Sequence, residues 1–506
     1  MRVTLVQPAQ GTHFGFTKIL MVEPLGLECV SAVLKSHAHE VHLVDLRLDR
    51  PSALVDHLRA WRPAAVGISC GFTTDVYSSL QTARLVKAVL PRATVLVGGH
   101  HASLIPGDFL FSGSPVDAVV IGEGEWCALE LVDAFERGDD PGSVPGVMTL
   151  ANREGGFTTR GLISELDALP LPDRGLSAQY RHRYHHGFAS PSACVETSRG
   201  CPFDCNFCSI WIFYQRRARR RSAELIVEDL RQVKALGETH VFFTDDIAFL
   251  QREAYETLGL EIQRAGLAMH YSCETRADLV VKYRDLFGLW KAIGMNTIFL
   301  GVERIDDAGL AAVRKRTKGG ANTNLEAIKI LQAEGITPMT SLITDPSWDE
   351  EDFDRLEQFV RLARLPNPTF TVLTPLPGTE LWETDKARVT TDDYAQFDVM
   401  HLVMPSRLPP ERFYQRFAGL YALADVRAQL GLRALTKLLG MGLRGKGWVV
   451  RRVWSAVREM RDPEAYLRYP GTTPKPRFVP AGFGAAAWIT GSRSHLAWRS
   501  EVTGVH

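Results

Sequence analysis

Cys201-Pro202-Phe203-Asp204-Cys205-Asn206-Phe207-Cys208 sets three thiols in the spacing C-x3-C-x2-C, and Thr197-Ser198-Arg199-Gly200 leads into it. Gly200 and Pro202 favour an irregular loop, and three thiolates so close in sequence can wrap one small iron-sulfur cluster. A structural zinc site would want four ligands in paired spacings, and no further Cys or His stands nearby in such a pattern. On a four-iron cubane, three ligands leave one iron open, and chemistry can take place there. The loop follows an apolar run, Cys194 to Thr197, which is the first of six. The others are His240 to Thr244, Met269 to Glu274, Thr297 to Gly301, Met339 to Thr344 and Thr369 to Leu373. Each interval holds one helix and two loops, the βα rhythm of a barrel. Six strands predict a partial (β/α)6 barrel over 191–394, open on one side.

Working outward, residues 1–140 alternate helical patterns with the runs Val3 to Val6, Val41 to Leu46, Ala65 to Ser69, Thr94 to Val97 and Asp117 to Ile121. Strands that are apolar throughout are buried on both faces, which predicts a doubly wound parallel sheet. Residues 141–190 carry Pro-Gly and Pro-Asp punctuation and read as a linker. The whole is of the α/β class. Beyond 395 helical patterns take over, over 410–429 and 434–460, as a C-terminal helical cap that ends near 470. The Pro- and Gly-punctuated tail 471–506 is expected to be poorly ordered.

With 58 basic and 58 acidic side chains in 506 residues, 45% of them apolar, the chain is neither disordered nor a general polyanion binder. Nucleic acid is therefore not an expected partner. The start reads as no signal peptide, and no window offers the ~18 uninterrupted apolar residues of a membrane span. A cytoplasmic location is expected, with the eight cysteines as thiols. Two basic stretches interrupt the balance. Arg216-Arg217-Ala218-Arg219-Arg220-Arg221 reads as a solvated rim, with an anion contact or a docking patch for an acidic electron donor as the alternative. Residues 427–461 carry nine Lys or Arg against one Glu. They read as a packed cap with a basic face or as a helix lying on the inner face of a membrane, although four glycines interrupt any single long helix.

The cysteine spacing, with Phe207 just before the third Cys, resembles the radical S-adenosylmethionine superfamily. The resemblance implies that Cys201, Cys205 and Cys208 hold a 4Fe-4S cluster whose open iron is chelated by S-adenosylmethionine, and that a reducing donor such as a flavodoxin or ferredoxin supplies electrons. It also implies cofactor contacts at the C-terminal ends of the barrel strands. Asp245 or Asp246 would accept from the ammonium, Arg276 would pair with the carboxylate, and Glu303 would reach the ribose hydroxyls or a neighbouring basic group.

Loops at the strand ends of the first domain carry Ser69, Gly71 and Thr73, Gly98, Gly99 and His100, and Gly122 and Glu123. Their glycines let the backbone approach a large ligand, and no G-x-G-x-x-G follows the first strand. Together with the cysteine loop, this arrangement resembles cobalamin-dependent radical S-adenosylmethionine enzymes, so these residues become the expected cobalamin contacts. The Asp-x-His-x-x-Gly of better-known cobalamin domains is missing around His13, which predicts cobalamin without a histidine ligand; His100 and His101 are expected as pocket wall.

Pro24-Leu25-Gly26-Leu27-Glu28, Asp345-Pro346-Ser347-Trp348-Asp349-Glu350, Pro377-Gly378-Thr379-Glu380 and Leu408-Pro409-Pro410-Glu411-Arg412-Phe413-Tyr414 are similar to the hopanoid C-3 methylases. That resemblance implies methyl transfer from methylcobalamin to an unactivated carbon of a hydrophobic triterpenoid, at C-3 of ring A. Two alternatives stand beside it: the same cofactors acting on another natural product or in an oxidative cyclisation, and a non-catalytic metal-binding scaffold.

Overall fold

A computed structural model describes residues 1–423, 440–443 and 445–468. Its first sheet comprises β1 (Arg2–Gln7), β2 (Glu40–Asp45), β3 (Ala65–Ser69), β4 (Thr94–Gly98), β5 (Ala118–Val120) and β6 (Val147–Thr149), in the order β2-β1-β3-β4-β5-β6. All pairs are parallel except β5 with β6. Val3 to Val6, Val66, Val95 and Val97 are buried, as doubly covered strands require. The order reverses between β1 and β3, and the loops leaving those strands flank the switch point where such sheets take ligands.

The second sheet runs β7 (Ser192–Val195), β8 (His240–Phe243), β9 (His270–Arg276), β10 (Met295–Glu303), β11 (Thr337–Thr344) and β12 (Asn367–Val372). All are parallel and in chain order, so β7 and β12 are free edges of a partial barrel. Side chains alternate along each strand. Val241, Phe243, Tyr271, Cys273, Ile298 and Leu300 share one core with Leu230, Leu258, Leu331 and Phe353 of the surrounding helices. The intervening Phe242, Glu274, Phe299, Ser341 and Thr371 are only partly covered and line the lumen.

Two expectations change here. The linker 141–190 supplies the antiparallel edge strand β6, because Val147 and Met148 cover the flank of β5. It also supplies Arg174, 4% exposed, whose guanidinium bonds Glu23 and Glu28 of the first domain and Asp229 and the Cys194 carbonyl of the barrel. The linker is thus a shared piece of interior. The basic run Arg216 to Arg221 is likewise no solvated rim: Arg219 pairs with Glu123, Arg221 donates to the Leu169 and Pro170 carbonyls, Arg220 lies over Tyr255, and Arg217 alone is exposed.

The cap reaches back over both domains. Tyr394, Phe397, Val403 and Met404 join the core of the first domain, and α1 (Pro410–Ala422) packs on the barrel. Helix α2 (Gly447–Met460) follows Gly445, whose φ of +72° breaks the predicted long helix. The part of that prediction over 424–439, Arg444, and the tail from 469 lie outside the described residues. Helix α2 and the segment before α1 clasp the loop after β1: Lys18 pairs with Glu459, Arg452 donates to the Lys18 carbonyl, and Thr12 bonds Asp398.

Candidate active site

The cysteine loop leaves the C-terminal end of β7. Gly200 turns the chain at φ +92°, where a Cβ would lie 2.1 Å from the Arg217 carbonyl oxygen, so only glycine fits. The loop is held from several sides. Gly200 N donates to Asp246 Oδ2 at 2.7 Å, Trp211 Nε1 to the Cys205 carbonyl at 3.0 Å, and Leu381 N to the Asn206 carbonyl at 2.9 Å. All three cysteines are partly covered. Burial pushes all three thiols up, Cys201 to about 11, and at Cys205 the nearby Lys315 and Arg276 offset part of that rise. Among the described residues, the ligand atoms that gather within 4.8 Å of one another are those of His39, Asp133 and Glu136, not the three sulfurs. The three sulfurs therefore do not all stand within the span of ligands around a single tetrahedral ion.

Of the residues expected around S-adenosylmethionine, Asp245 has another task. Its carboxylate accepts from Thr197 N at 2.7 Å, Ser198 N at 2.9 Å, the Thr197 hydroxyl and Tyr255 OH, which fixes the junction between β7 and the loop. Asp246 stands closer to the cysteines, with its carboxyl pushed up to about 7 by burial. Arg276 is held by Asp278 and the Arg316 carbonyl and stacks over Phe203 of the cysteine loop at 3.8 Å. Glu303 is anchored by Lys315 at 2.9 Å and Ser341 at 2.9 Å.

Sequence reasoning missed Glu274. Its side chain faces the lumen between β8 and β10, has no hydrogen-bond partner among the described residues, and is pushed up to about 7 by burial and by Asp246 and Glu303. Strand alternation could have found it, since Tyr271 and Cys273 are fully buried toward the helices and put Glu274 on the opposite, inward face of the strand. Asp246, Glu274 and Glu303 together suit a cationic ligand, and S-adenosylmethionine carries both a sulfonium and an ammonium.

At the switch-point edge of the first domain, nothing lies within 4 Å of a Cβ built on Gly71 or on Gly122. Phe72, next to Gly71, is 74% exposed, a large apolar surface at the place where such a fold takes its ligand. Open glycines and an uncovered aromatic fit a broad flat group such as cobalamin. Several neighbours are already engaged. The Thr73 hydroxyl lies 3.1 Å from His101 Nδ1, and Asp108 takes His101 Nε2 at 2.8 Å. Glu123 is a correction to the expected cobalamin contacts: one oxygen accepts from Arg199 at 2.9 Å and the other from Arg219 and Ile163 N, both at 2.7 Å. It joins the two domains. His100 points the same way, toward the cysteine loop, while His13 stands beside Lys18, Arg452 and Glu459. Ser69 ends β3, and Gly98 and Gly99 lead from β4 toward His100.

Residues 20–132 match the model of the B12 binding domain, and residues 195–362 that of the radical SAM superfamily. The hopanoid C-3 methylase of Methylococcus capsulatus is 37% identical over 94% of this chain and 92% of its own. The chain belongs to the cobalamin-dependent radical S-adenosylmethionine methyltransferases. The anaerobic magnesium-protoporphyrin IX monomethyl ester cyclase of Cereibacter sphaeroides is 26% identical, over 80% of this methyltransferase and 67% of the cyclase. Among solved structures, the radical S-adenosylmethionine methyltransferase TsrM of Kitasatospora setae, with cobalamin and a 4Fe-4S cluster bound, matches with a TM-score of 0.65. It shares 17% identity over 90% of this chain and 99% of that one, a likeness of fold. The methyltransferase thus works with a 4Fe-4S cluster, S-adenosylmethionine and cobalamin, and these supply the electron, the radical and the methyl group of the reaction.

Proposed function

We propose that this methyltransferase acts on a hopanoid at C-3 of ring A. The observation that carries this reading is the extent of the match to the hopanoid C-3 methylase, which runs beyond both cofactor domains into the cap. In this reading Cys201, Cys205 and Cys208 bind the cluster, and Asp246, Glu274 and Glu303 receive S-adenosylmethionine. Arg276 braces the cysteine loop from beneath through Phe203 and offers its guanidinium edge to the methionyl carboxylate. Ser69, Gly71, Phe72, Thr73, Gly98, Gly99 and Gly122 border cobalamin. Phe242, Phe299, Met339 and Leu373 give the lumen an apolar lining, which suits a polycyclic hydrocarbon and excludes water from the reacting carbon.

Among the described residues no helix is long and apolar enough to cross a membrane. A substrate resident in a bilayer would instead be reached from its surface. Trp454 is 42% exposed, with exposed Arg451 and Arg458 three and four residues away on the same face of α2, and Leu443 before the helix is 90% exposed. That combination favours peripheral contact with anionic lipid at the inner membrane face. A low-potential donor such as a flavodoxin or ferredoxin would reduce the cluster.

Expression in a hopanoid-producing host, followed by mass spectrometry of its lipids, tests the assignment. A hopanoid heavier by one methylene, with the methyl on ring A, is the expected result. Unchanged hopanoids in cells holding cofactor-loaded protein would rule it out. The cyclase similarity favours a second reading, oxidative ring closure on a tetrapyrrole or other natural product. It would be marked by loss of hydrogens without gain of carbon.

A further inference from the structure

His100 leaves the first domain in an unusual direction. Gly99 turns the chain at φ +110°, where a Cβ would lie 2.8 Å from the Cys70 carbonyl oxygen, so no larger residue makes the turn without displacing β3. His101, the next residue, is locked back into the domain by Asp108 and Thr73. The turn therefore has a fixed base, and His100 projects from it across the domain boundary.

Its Nε2 lies 2.8 Å from Ser209 Oγ, and its ring stacks on Phe213 with centroids 4.5 Å apart and planes 26° from parallel. Ser209 is the residue after Cys208. Beneath this contact Leu104 and Ile105, from the same first-domain segment, form a small core with Trp211 and Ile212, and Cys208 packs against it. Trp211 in turn donates to the Cys205 carbonyl. Two of the three cysteines are thus supported by side chains that rest on the segment after β4, which lies between the loops after β3 and β5 that carry the open glycines of the cobalamin edge. Burial holds the His100 ring neutral, with its pKa lowered to about 4, so the link is a neutral hydrogen bond and adds no charge beside the cluster.

We propose that His100 is a positioning residue that ties the third-cysteine segment to the cobalamin-side loop, so that filling one cofactor site alters the surroundings of the other. This rests on the shared cofactor set and is independent of which substrate is methylated. The link exists only where the two domains meet, between the segment after β4 and the residues after Cys208.

The experiment uses the full chain reconstituted anaerobically with iron and sulfide. The reduced cluster is followed by electron paramagnetic resonance and its midpoint potential by titration, with and without hydroxocobalamin. In the parent protein hydroxocobalamin is expected to shift both the spectrum and the potential. His100→Leu should lose that response while keeping full iron content and an unchanged melting temperature, and Ser209→Ala should lose it independently. The double variant should be no worse than His100→Leu alone, because both substitutions remove the same hydrogen bond. His100→Gln, whose amide can reach the Ser209 hydroxyl, should recover part of the response. A parent protein whose cluster signal ignores hydroxocobalamin would overturn the proposal. So would a response of parental size in Ser209→Ala, a variant small enough to leave folding intact should His100→Leu fail to fold.

Discussion

Glu274 places a carboxyl where water is scarce and gives it no partner, and the neighbouring Asp246 and Glu303 repel its charge. Both effects make the folded chain hold the proton more tightly than the unfolded chain does. The contribution of Glu274 to stability is therefore intact below the ordinary carboxylate range and is lost as pH rises through about 7. Asp246, pushed up to about 7 mainly by burial, adds to the same trend. Denaturant titration of the cofactor-free protein should show stability falling as pH rises from about 4.5 to about 7 and levelling above, and Glu274→Gln should flatten that fall while matching the parent below it. Saturating S-adenosylmethionine should offset part of the loss at neutral pH and above in the parent, because a cation gives the ionised carboxyls a partner. At the same scale, Cys201→Ala, Cys205→Ala and Cys208→Ala should each abolish the visible absorption of the reconstituted cluster while leaving the far-ultraviolet circular dichroism of the fold unchanged.

The cysteine loop and the loop after β5 meet through charge. Arg199 joins half-buried Glu196 at 2.8 Å and the buried Glu123 at 2.9 Å and Glu125 at 2.5 Å. Removing the cation leaves several carboxylates uncompensated, so Arg199→Met should destabilise the protein by about 3–5 kcal/mol. Exposed Arg217, two residues from Arg219 in the same basic run, should tolerate Ala within about 0.5 kcal/mol. Equilibrium unfolding of the two variants side by side checks both values. This contrast also marks what could be read from the sequence. The strands of both sheets were legible because a doubly buried strand is written as a local apolar run, and the cysteine loop because its ligands are neighbours in the chain. The fates of Glu123 and of the arginine run were not, since Glu123 meets Arg199 and Arg219 across 76 and 96 residues and charge alone does not say which way a side chain turns. The edge strand β6 escaped notice for a related reason: three residues amid Pro and Gly carry too short a pattern to separate a strand from a loop.

Across the whole molecule, the linker and the cap make two domains behave as one. Arg174 serves Glu23 and Glu28 on one side and Asp229 on the other, and Tyr394 and Phe397 return from beyond the barrel to fill the first domain's core. Scanning calorimetry of the cofactor-free chain should therefore show a single main transition, and Arg174→Leu should lower it and separate it into two. The clasp on the loop after β1 bears on time as well as on stability. That loop lies at the switch-point edge, and the residues that fasten it, Asp398, Arg452 and Glu459, all follow both cofactor domains in the chain. The first domain is therefore made before its clasp exists. Cobalamin supplied during synthesis should load faster than cobalamin added to the finished protein, and equal loading rates would show that the clasp is no barrier.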